Sequence, residues 1–282
     1  MSEAEIGRTM SVVPFAFEGF EMTPFASSRG RTLDVYRTGT GPAVVVIHEI
    51  PGITPLVAAF GRRIAARGMT AVLPDLFGTA GRPVTFPYVL SSFARVCVSK
   101  EFTLLALNKT SPIVNWLLEL AVHEHEEHGG PGVGAVGMCL TGGFALAMSV
   151  DPTVVAPALS QPSLPLPTNA LRRSSLGLSD GDFEKVRDRA AGDLCVMGLR
   201  FSGDSKSPVE RFDRLKRELG ENFIGVEIDS SPANPWGYPK NAHSVLTEHY
   251  SDVEGSPTRV AMDELLTFFS SRLGVTPASN GS

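Results

Sequence analysis

The chain has 282 residues, of which 43% are hydrophobic and 20% charged, and its formal net charge at pH 7 is −5. This length and composition suffice for one α/β domain with a large buried core. An acidic balance without a lysine or arginine block argues against nucleic acid or a membrane surface as the partner, because both need a concentrated basic face. We therefore expect a small-molecule partner.

Strand and helix patterns alternate along the chain. Apolar and β-branched runs predict strands over residues 43–48, 69–73, 133–138, 154–159, 194–201 and 223–228. Apolar side chains at helical spacing predict helices over residues 56–67, 112–128, 143–150, 182–190, 209–219 and 259–273. Strands buried on both faces that alternate with helices predict an α/β fold, with a mostly parallel sheet between two helical layers.

We predict a single domain over residues 26–274. Residues 1–25 are expected to form an N-terminal arm, and residues 275–282 a C-terminal tail. Residues 160–191 are expected to form an irregular insertion that covers one side of a pocket, because three prolines and two adjacent arginines follow its start.

The ends and the cysteines indicate the compartment. The first five residues are acidic where a secretory signal is basic, and no apolar run approaches the roughly 18 residues of a membrane span. Cys97, Cys139 and Cys195 are far apart and outside any CxxC spacing, so neither a disulfide framework nor a zinc site is predicted. We expect a cytoplasmic protein with reduced thiols and without a metal or organic cofactor.

Cys139 has the setting of a nucleophile. It follows the apolar strand predicted over residues 133–138 and precedes a Gly/Ala-rich helix. A strand that turns sharply into a helix pushes one side chain out at the carboxyl edge of the sheet, above a helix N-terminus that favours negative charge. A free cysteine is more often a buried packing residue, but this context favours the reactive role.

Loops at the same edge carry further reactive side chains, since ligands of an open parallel sheet bind outside the carboxyl ends of its strands. Glu49, Asp204 and His243 each follow a predicted strand. Cys139, Asp204 and His243 come in the chain order nucleophile, acid, histidine that is expected of an α/β-hydrolase. The rivals for the acid, of which the last directly ends a strand, are Asp180, Asp182 and Asp229.

Four short motifs occur in this chain order: His48-Glu49-Ile50-Pro51-Gly52, Gly137-Met138-Cys139-Leu140-Thr141-Gly142-Gly143, Gly203-Asp204 and Ala242-His243-Ser244. Together they resemble the landmarks of the dienelactone hydrolase family. The resemblance implies an α/β-hydrolase fold, a triad of Cys139, His243 and Asp204, and hydrolysis of a lactone or activated ester. It also implies that Glu49 lies beside the thiol in the resting enzyme and swings away when substrate arrives.

The residue types suit this chemistry. A thiol at its free pKa is only a few per cent thiolate near neutral pH, so Cys139 needs a base such as His243, oriented by an acid such as Asp204. The backbone N–H groups of Ile50 and Leu140 are the expected oxyanion-hole donors. Because a thiolate leaves more readily than an alkoxide, enol and aryl esters are favoured over alkyl esters and amides.

Two departures from the family pattern bear on the substrate. Thr247 stands where the dienelactone-cleaving members carry an arginine that grips the substrate carboxylate, and Thr141 stands where the family usually has glycine. Thr141 is expected to alter the packing at the turn. The candidates to replace the missing arginine are Arg95, Arg200 and Arg211, and the expected substrate-binding residues are Arg95, Trp236 and Tyr238.

Three other patterns are interpreted as structural. Ser179 matches GxSxG without a preceding buried strand, so we expect it to cap a helix. The GxGxxG match at residues 132–137 lies before and within a strand, which argues against a dinucleotide site. His123, His125 and His128 lack HExxH spacing and are expected to form a solvated helix end.

Three functions stay open on the sequence. The first is a cysteine-dependent hydrolase of small lactones or activated esters that works through a thioacyl-enzyme. The second is a hydrolase-like protein that binds a small molecule without turning it over, which Thr141 and the missing arginine would suit. The third is an acyltransferase that uses the same intermediate. The sequence does not indicate the oligomeric state.

Overall fold

In a computed structural model of the protein, the described residues are 17–85, 87–89 and 112–276. All the predicted strands and helices form, and their ends lie within two residues of the predicted ends. The strands are β1 (Glu21–Ala26), β2 (Thr32–Gly39), β3 (Ala43–Ile47), β4 (Thr70–Pro74), β5 (Val133–Met138), β6 (Val154–Ser160), β7 (Val196–Phe201) and β8 (Phe223–Ile228). The helices are α1 (Pro55–Ala65), α2 (Pro112–His128), α3 (Gly142–Met148), α4 (Ala170–Ser174), α5 (Asp180–Ala190), α6 (Val209–Leu219) and α7 (Pro257–Arg272).

The strands form one eight-stranded sheet in the order β1-β2-β4-β3-β5-β6-β7-β8. The pairs β1–β2 and β2–β4 are antiparallel, and the remaining pairs are parallel. The prediction of an α/β fold with a mostly parallel sheet is therefore confirmed. Strand β4, which follows β3 in the chain, lies on one side of β3 in the sheet, and β5 lies on its other side. The strand order therefore reverses between β3 and β5, where the carboxyl ends of these two strands meet. Ligands bind at such a point in open α/β sheets.

The two faces of the sheet carry separate helical layers. Val44 and Val46 of β3 pack in a cluster with residues of α1 and α7, whereas Val45 and Ile47 pack with residues of α2 and α3. Successive side chains of a strand point to opposite faces, and both faces are buried here. This double burial explains why the strand is a continuous apolar run without alternation.

The predicted N-terminal arm is too long. Residues 21–25 belong to β1 at the edge of the sheet, and before it Phe17 is buried and stacks on Tyr36 at 4.2 Å between ring centroids. The sequence did not reveal β1 and β2 because Val35 is the one buried residue of the two strands, so neither has an apolar run. Of the predicted tail, residues 275–276 are described, and Val275 packs against the core.

The predicted insertion begins as irregular chain and continues as α4 and α5. Arg211 of α6 is fully buried and donates hydrogen bonds to the backbone carbonyls of Pro162, Pro165 and Arg172. These bonds fix the irregular part at the carboxyl edge of the sheet, close to the end of β6. That the insertion covers one side of a pocket stays a prediction.

The end of α2 is solvated only in part, with Glu126 and Glu127 exposed. Glu124 is fully buried, and its carboxylate lies 2.6 Å from Nη2 of Arg37 on β2 and 3.2 Å from Nε2 of His128. His123 stacks on Phe25 of β1. The polar residues therefore join α2 to the antiparallel edge of the sheet. In the described ranges, no group of three or more His, Cys, Asp or Glu residues is arranged to hold a metal ion, and no helix is long and apolar enough to cross a membrane.

Removal of Arg37 tests this pairing. Arg37→Met leaves the Glu124 carboxylate buried with only His128 as a partner, and breaking a buried pair typically costs about 3 kcal/mol or more. We expect a decrease of this order in the free energy of unfolding, measured with urea at pH 7. The double variant Arg37→Met, Glu124→Gln should recover much of the loss, because no charge then stays buried. A single variant as stable as the wild type would contradict this role of Arg37.

Candidate active site

Cys139 lies in a strained turn at the end of β5. Its φ of 57° is in the left-handed region that residues with a side chain rarely adopt. It begins the 3₁₀ turn Cys139–Thr141, which leads directly into α3. Its thiol is free and the residue is partly exposed; Cys195 is also free, and Cys97 lies outside the described residues. This strand, sharp turn and helix have the form of a nucleophile elbow.

Two glycines permit this turn. A Cβ atom on Gly137 would lie 2.2 Å from the carbonyl oxygen of Thr141, and one on Gly142 would lie 2.6 Å from Cα of Pro162. Both distances are too short for non-bonded atoms, and the neighbours are backbone. The turn can therefore fold back on β5, and the insertion can pack on α3, only while these two positions lack a side chain.

The hydroxyl of Thr141 connects β5 to β3. It is buried, accepts a hydrogen bond from the N–H of Met138 at 3.0 Å and lies 2.7 Å from the carbonyl oxygen of Ile47. The carbonyl oxygens of Met138 and His48 lie at 2.8 and 3.2 Å. A hydroxyl has one proton to donate, and the Ile47 carbonyl is its nearest acceptor. A glycine at this position, as in the family pattern, has no such bond.

The loop after β8 brings His243 against Asp204, which follows β7. The Nδ1 atom of His243 lies 2.6 Å from Oδ2 of Asp204, and both residues are buried. Oδ1 of Asp204 accepts a hydrogen bond from the N–H of Lys206 at 3.0 Å. The carboxylate thus orients the imidazole with a proton on Nδ1, and Nε2 is the nitrogen left for other partners.

Cys139 acts on His243 through its charge. Burial alone would lower the pKa of His243, but the negative charge of the Cys139 sulfur and hydrogen bonding to Asp204 and Cys139 outweigh it and raise the pKa from 6.5 to about 10. The Nε2 atom is buried and makes no hydrogen bond of ordinary geometry with a described residue. A loose contact of this kind is common in enzymes before substrate binds. The site thus favours the protonated form of His243.

Glu49, which follows β3, is bound by uncharged groups. Its carboxylate accepts hydrogen bonds from Nε2 of Gln161 at 3.1 Å, from Oγ of Ser244 at 2.8 Å and from the hydroxyl of Thr247. The side chain is 7% exposed. In the described part of the chain, no hydrogen bond joins Glu49 to Cys139. Thr247, at the position of the family's arginine, thus contacts Glu49 itself.

Gln161 is a residue of this site that the sequence analysis missed. It is fully buried, has a φ of 37°, and its backbone N–H donates to the carbonyl oxygen of Leu199 at 2.7 Å. Its Nε2 binds Glu49, while its Oε1 accepts from the N–H of Val245 at 3.3 Å. Gln161 directly follows β6 at the carboxyl edge, so the rule that selected the other loops would also have selected it.

His48 occupies the end of β3 and is fully buried. Its Nδ1 lies 3.1 Å from the carbonyl oxygen of Glu49, its Nε2 accepts from the N–H of Leu76 at 3.2 Å, and its ring packs on Phe77. Burial lowers the pKa of His48 from 6.5 to about 4, and the hydrogen bond to the Glu49 carbonyl opposes this only in part. A neutral imidazole therefore joins the Glu49 loop to the loop after β4.

The remaining predicted residues have varied positions. Ile50 and Leu140 each lie three residues beyond a register pair, Ile47 of β3 with Gly137 of β5, so the two loops leave adjacent strand ends. Tyr238 packs its ring on Phe201 and bonds its hydroxyl to Thr258 at 2.9 Å, a packing role. The side chain of Trp236, in the same loop, is 41% exposed.

Two of the three arginine candidates have structural partners. Arg200 forms an ion pair with Glu227 and donates from Nε to the carbonyl oxygen of Ser207 at 2.9 Å. Arg211 holds the insertion through backbone carbonyls. Arg95 lies outside the described residues. Neither Arg200 nor Arg211 is therefore free to replace the substrate-binding arginine of the family.

Neither the rival acids nor the GxSxG serine forms a hydrogen bond with His243 in the described part of the chain. Asp229 is exposed and accepts from the N–H of Ser231 at 2.8 Å, and Asp180 is exposed at the start of α5. Ser179 accepts from the N–H of Asp182 at 3.1 Å and so caps α5, as predicted. Among the candidate acids, Asp204 is the one that contacts the histidine.

Known proteins share this sequence pattern and architecture. Residues 33–172 match the profile of the dienelactone hydrolase family. A Saccharomyces cerevisiae protein named "Putative carboxymethylenebutenolidase" is 26% identical over 191 residues, which are 66% of this chain and 67% of that protein. The solved "Putative Dienelactone Hydrolase" of Klebsiella pneumoniae superposes with a TM-score of 0.60 at 17% identity, covering 89% of this chain and 98% of the other. The dienelactone hydrolase of Anabaena variabilis gives 0.56 at 16% identity, with coverage of 90% and 99%.

The eight-stranded order, the turn at Cys139 and the superpositions define an α/β-hydrolase fold. At 16% and 17% identity, the similarity to these solved structures establishes the fold alone. The family match is narrower: residues 33–172 match the dienelactone hydrolase family, and the chain is a hydrolase of the class that acts on esters or lactones.

The hydroxyl of Thr141 can be tested without changing the shape of the side chain. Thr141→Val leaves the buried Met138 N–H without its partner, which typically costs about 1 to 3 kcal/mol. We expect a decrease of this size in the free energy of unfolding by urea, together with a lower kcat/KM. Thr141→Ser keeps the hydroxyl and is the matched control. Equal stability of the valine and serine variants would refute the role of the hydrogen bond.

The low pKa of His48 predicts a loss of stability in acid. Below pH 6.5 the unfolded chain binds a proton at His48 while the folded protein does not until about pH 4, so lowering the pH across this window favours unfolding. The expected loss is about 3 kcal/mol between pH 7 and pH 4. Burial and the nearby Asp34 raise the pKa of Asp75 to about 6, so Asp75 acts on the stability in the opposite direction.

The comparison with His48→Gln separates the two effects, since Asp75 is present in both proteins. Urea unfolding at several pH values should show that the variant loses about 3 kcal/mol less than the wild type on acidification. Parallel pH profiles of the two proteins would show that His48 is not the group responsible.

Proposed function

We propose that the protein is a cysteine-dependent hydrolase of small lactones or activated esters. In this proposal Cys139 is the nucleophile, His243 is the base and acid, and Asp204 orients the imidazole. The observation that carries it is the contact of 2.6 Å between His243 and Asp204, with Cys139 as the group whose charge raises the pKa of His243. These three side chains come from loops at one edge of the sheet.

The first step is attack of the Cys139 sulfur on the ester or lactone carbonyl carbon. A carbon–sulfur bond forms, and the carbonyl electron pair moves to oxygen. The backbone N–H groups of Ile50 and Leu140 are the proposed donors to this oxyanion, because they lie in loops that leave adjacent strand ends. One such donor typically contributes about 3 to 4 kcal/mol to lowering the barrier.

The second step breaks the bond to the leaving oxygen. The enolate or phenolate is a stabilised leaving group, and as it departs it takes the Nε2 proton of the His243 imidazolium, which leaves a neutral imidazole. Water, deprotonated by Nε2 of His243, then attacks the thioacyl carbon, and the acid leaves as the thiolate is restored. A thiolate leaves more readily than an alkoxide, so an intermediate from an ordinary alkyl ester tends to return to substrate. The mechanism therefore favours activated esters.

Glu49 has the proposed role of a gate. A carboxylate turned toward the thiol would raise the thiol pKa and so disfavour its oxidation. In this proposal the hydrogen bonds from Gln161, Ser244 and Thr247 hold the gate open. The contact with the thiol that the family resemblance implies for the resting enzyme is not formed by a hydrogen bond among the described residues. The cytoplasmic location and the absence of a cofactor stay predictions from the sequence.

Loss of the nucleophile gives the direct test. Cys139→Ala should lower kcat/KM for 4-nitrophenyl acetate by at least about 10³-fold, since removing one member of a catalytic unit abolishes its action. The wild type should in addition form a thioester on Cys139, detectable as an acetyl adduct by mass spectrometry after rapid acid quench. Cys195→Ala removes a thiol that precedes β7, at the end of the strand opposite to Asp204, and should keep activity. Full turnover by Cys139→Ala, or its loss in Ser179→Ala, would overturn the assignment.

A further inference from the structure

We propose that Glu49 sets the charge selectivity of the site. Esters whose acyl group is uncharged or cationic are favoured, and esters whose acyl group carries a carboxylate are disfavoured. The inference rests on the proposed function, because it concerns the substrate of that same site.

The environment of Glu49 is the first argument. Its two oxygens face the amide N–H of Gln161 and the hydroxyls of Ser244 and Thr247, all of which can donate, and this is the environment of an anionic carboxylate. In the described ranges, neither lysine nor arginine forms an ion pair with it. The hydrogen bonds stabilise the negative charge, but they do not neutralise it.

The position of Glu49 is the second argument. Ser244 directly follows His243 in the chain, and the same insertion that carries Gln161 donates the N–H of Ser163 to the carbonyl oxygen of Cys139 at 2.9 Å. The groups that hold Glu49 are therefore joined to the loops of both the nucleophile and the histidine. We therefore expect the acyl group of a substrate attached to Cys139 to come within reach of the charge of this carboxylate.

The balance of charge is the third argument. The imidazolium of His243 is matched by Asp204 at 2.6 Å, so it has no positive charge to spare for a substrate carboxylate. Arg200 forms an ion pair with Glu227, and Arg211 is bound to backbone carbonyls while its charge acts on Asp204. Of the two carboxylates Glu49 and Asp204, Glu49 is therefore the one without a cationic partner among the described residues. Buried charges are little screened by salt, so the charge of Glu49 repels an anionic acyl group and attracts a cationic one.

Three 4-nitrophenyl esters with the same three-methylene linker test the inference. The hexanoate ends in an ethyl group, the monoglutarate ends in a carboxylate, and the 4-(trimethylammonio)butanoate ends in a quaternary cation. In low-salt buffer at pH 7.5 we expect the wild-type kcat/KM for the neutral and cationic esters to exceed that for the anionic ester at least tenfold. The ratio is measured on the folded wild-type protein and does not depend on any variant.

Glu49→Gln removes the charge and keeps the shape, so the ratio of neutral to anionic kcat/KM should fall at least fivefold toward unity. A general loss of activity in this variant cancels in the ratio. Glu248→Gln is the matched control, because it makes the same change on an exposed residue next to Thr247 and should leave the ratio unchanged. An equal fall of the ratio in both variants would overturn the role of Glu49.

The outcomes separate the inference from the proposed function. If the wild type hydrolyses the anionic ester as fast as the neutral one, and Cys139→Ala is inactive on both, the charge selectivity is refuted while the cysteine mechanism stands. If hydrolysis of all three esters is independent of Cys139, the proposed function fails and the inference fails with it.

Discussion

The junction between the carboxyl ends of β3 and β5 is the constraint on which the candidate site depends. The hydroxyl of Thr141 joins the Met138 N–H to the Ile47 carbonyl, and the backbone approaches itself so closely at Gly137 that no side chain fits. Cys139 follows one strand end and Glu49 follows the other. Backbone contacts therefore determine the separation between Cys139, the proposed nucleophile, and Glu49, the proposed gate. Both faces of the sheet are buried at this point.

Three buried acids show how the surroundings assign different roles to one functional group. Asp204 accepts from His243 and from a backbone N–H, which suits it to orient an imidazole. Glu124 pairs with Arg37 and joins a helix to the sheet. Among the described residues, all the side chains that donate hydrogen bonds to Glu49 are uncharged, so its charge is the one that would act on a neighbouring molecule. Burial is common to all three, and the partner decides whether the carboxylate is structural, orienting or selective.

The sequence predicted the parts of this protein that depend on local pattern and chain order. The runs that form β3 and β5, and the placing of Cys139, Asp204 and His243 after strands, follow from periodicity and from the edge rule for parallel sheets. β1 and β2 escaped notice because Val35 is the one buried residue of the two strands, so neither contains an apolar run. The hydrogen bonds of Glu124, Thr141 and Gln161 join residues that are distant in sequence. Such pairings depend on tertiary register, which no local pattern encodes.

The insertion after β6 is anchored in an unusual way, since Arg211 grips it by main-chain carbonyl oxygens and not by side chains. Every amino acid supplies a carbonyl, so mutation can replace the side chains of this segment while its path stays the same. Relatives that keep the arginine would then be free to diversify the surface that a ligand meets without remodelling the scaffold beneath it. Change in recognition is thereby uncoupled from folding.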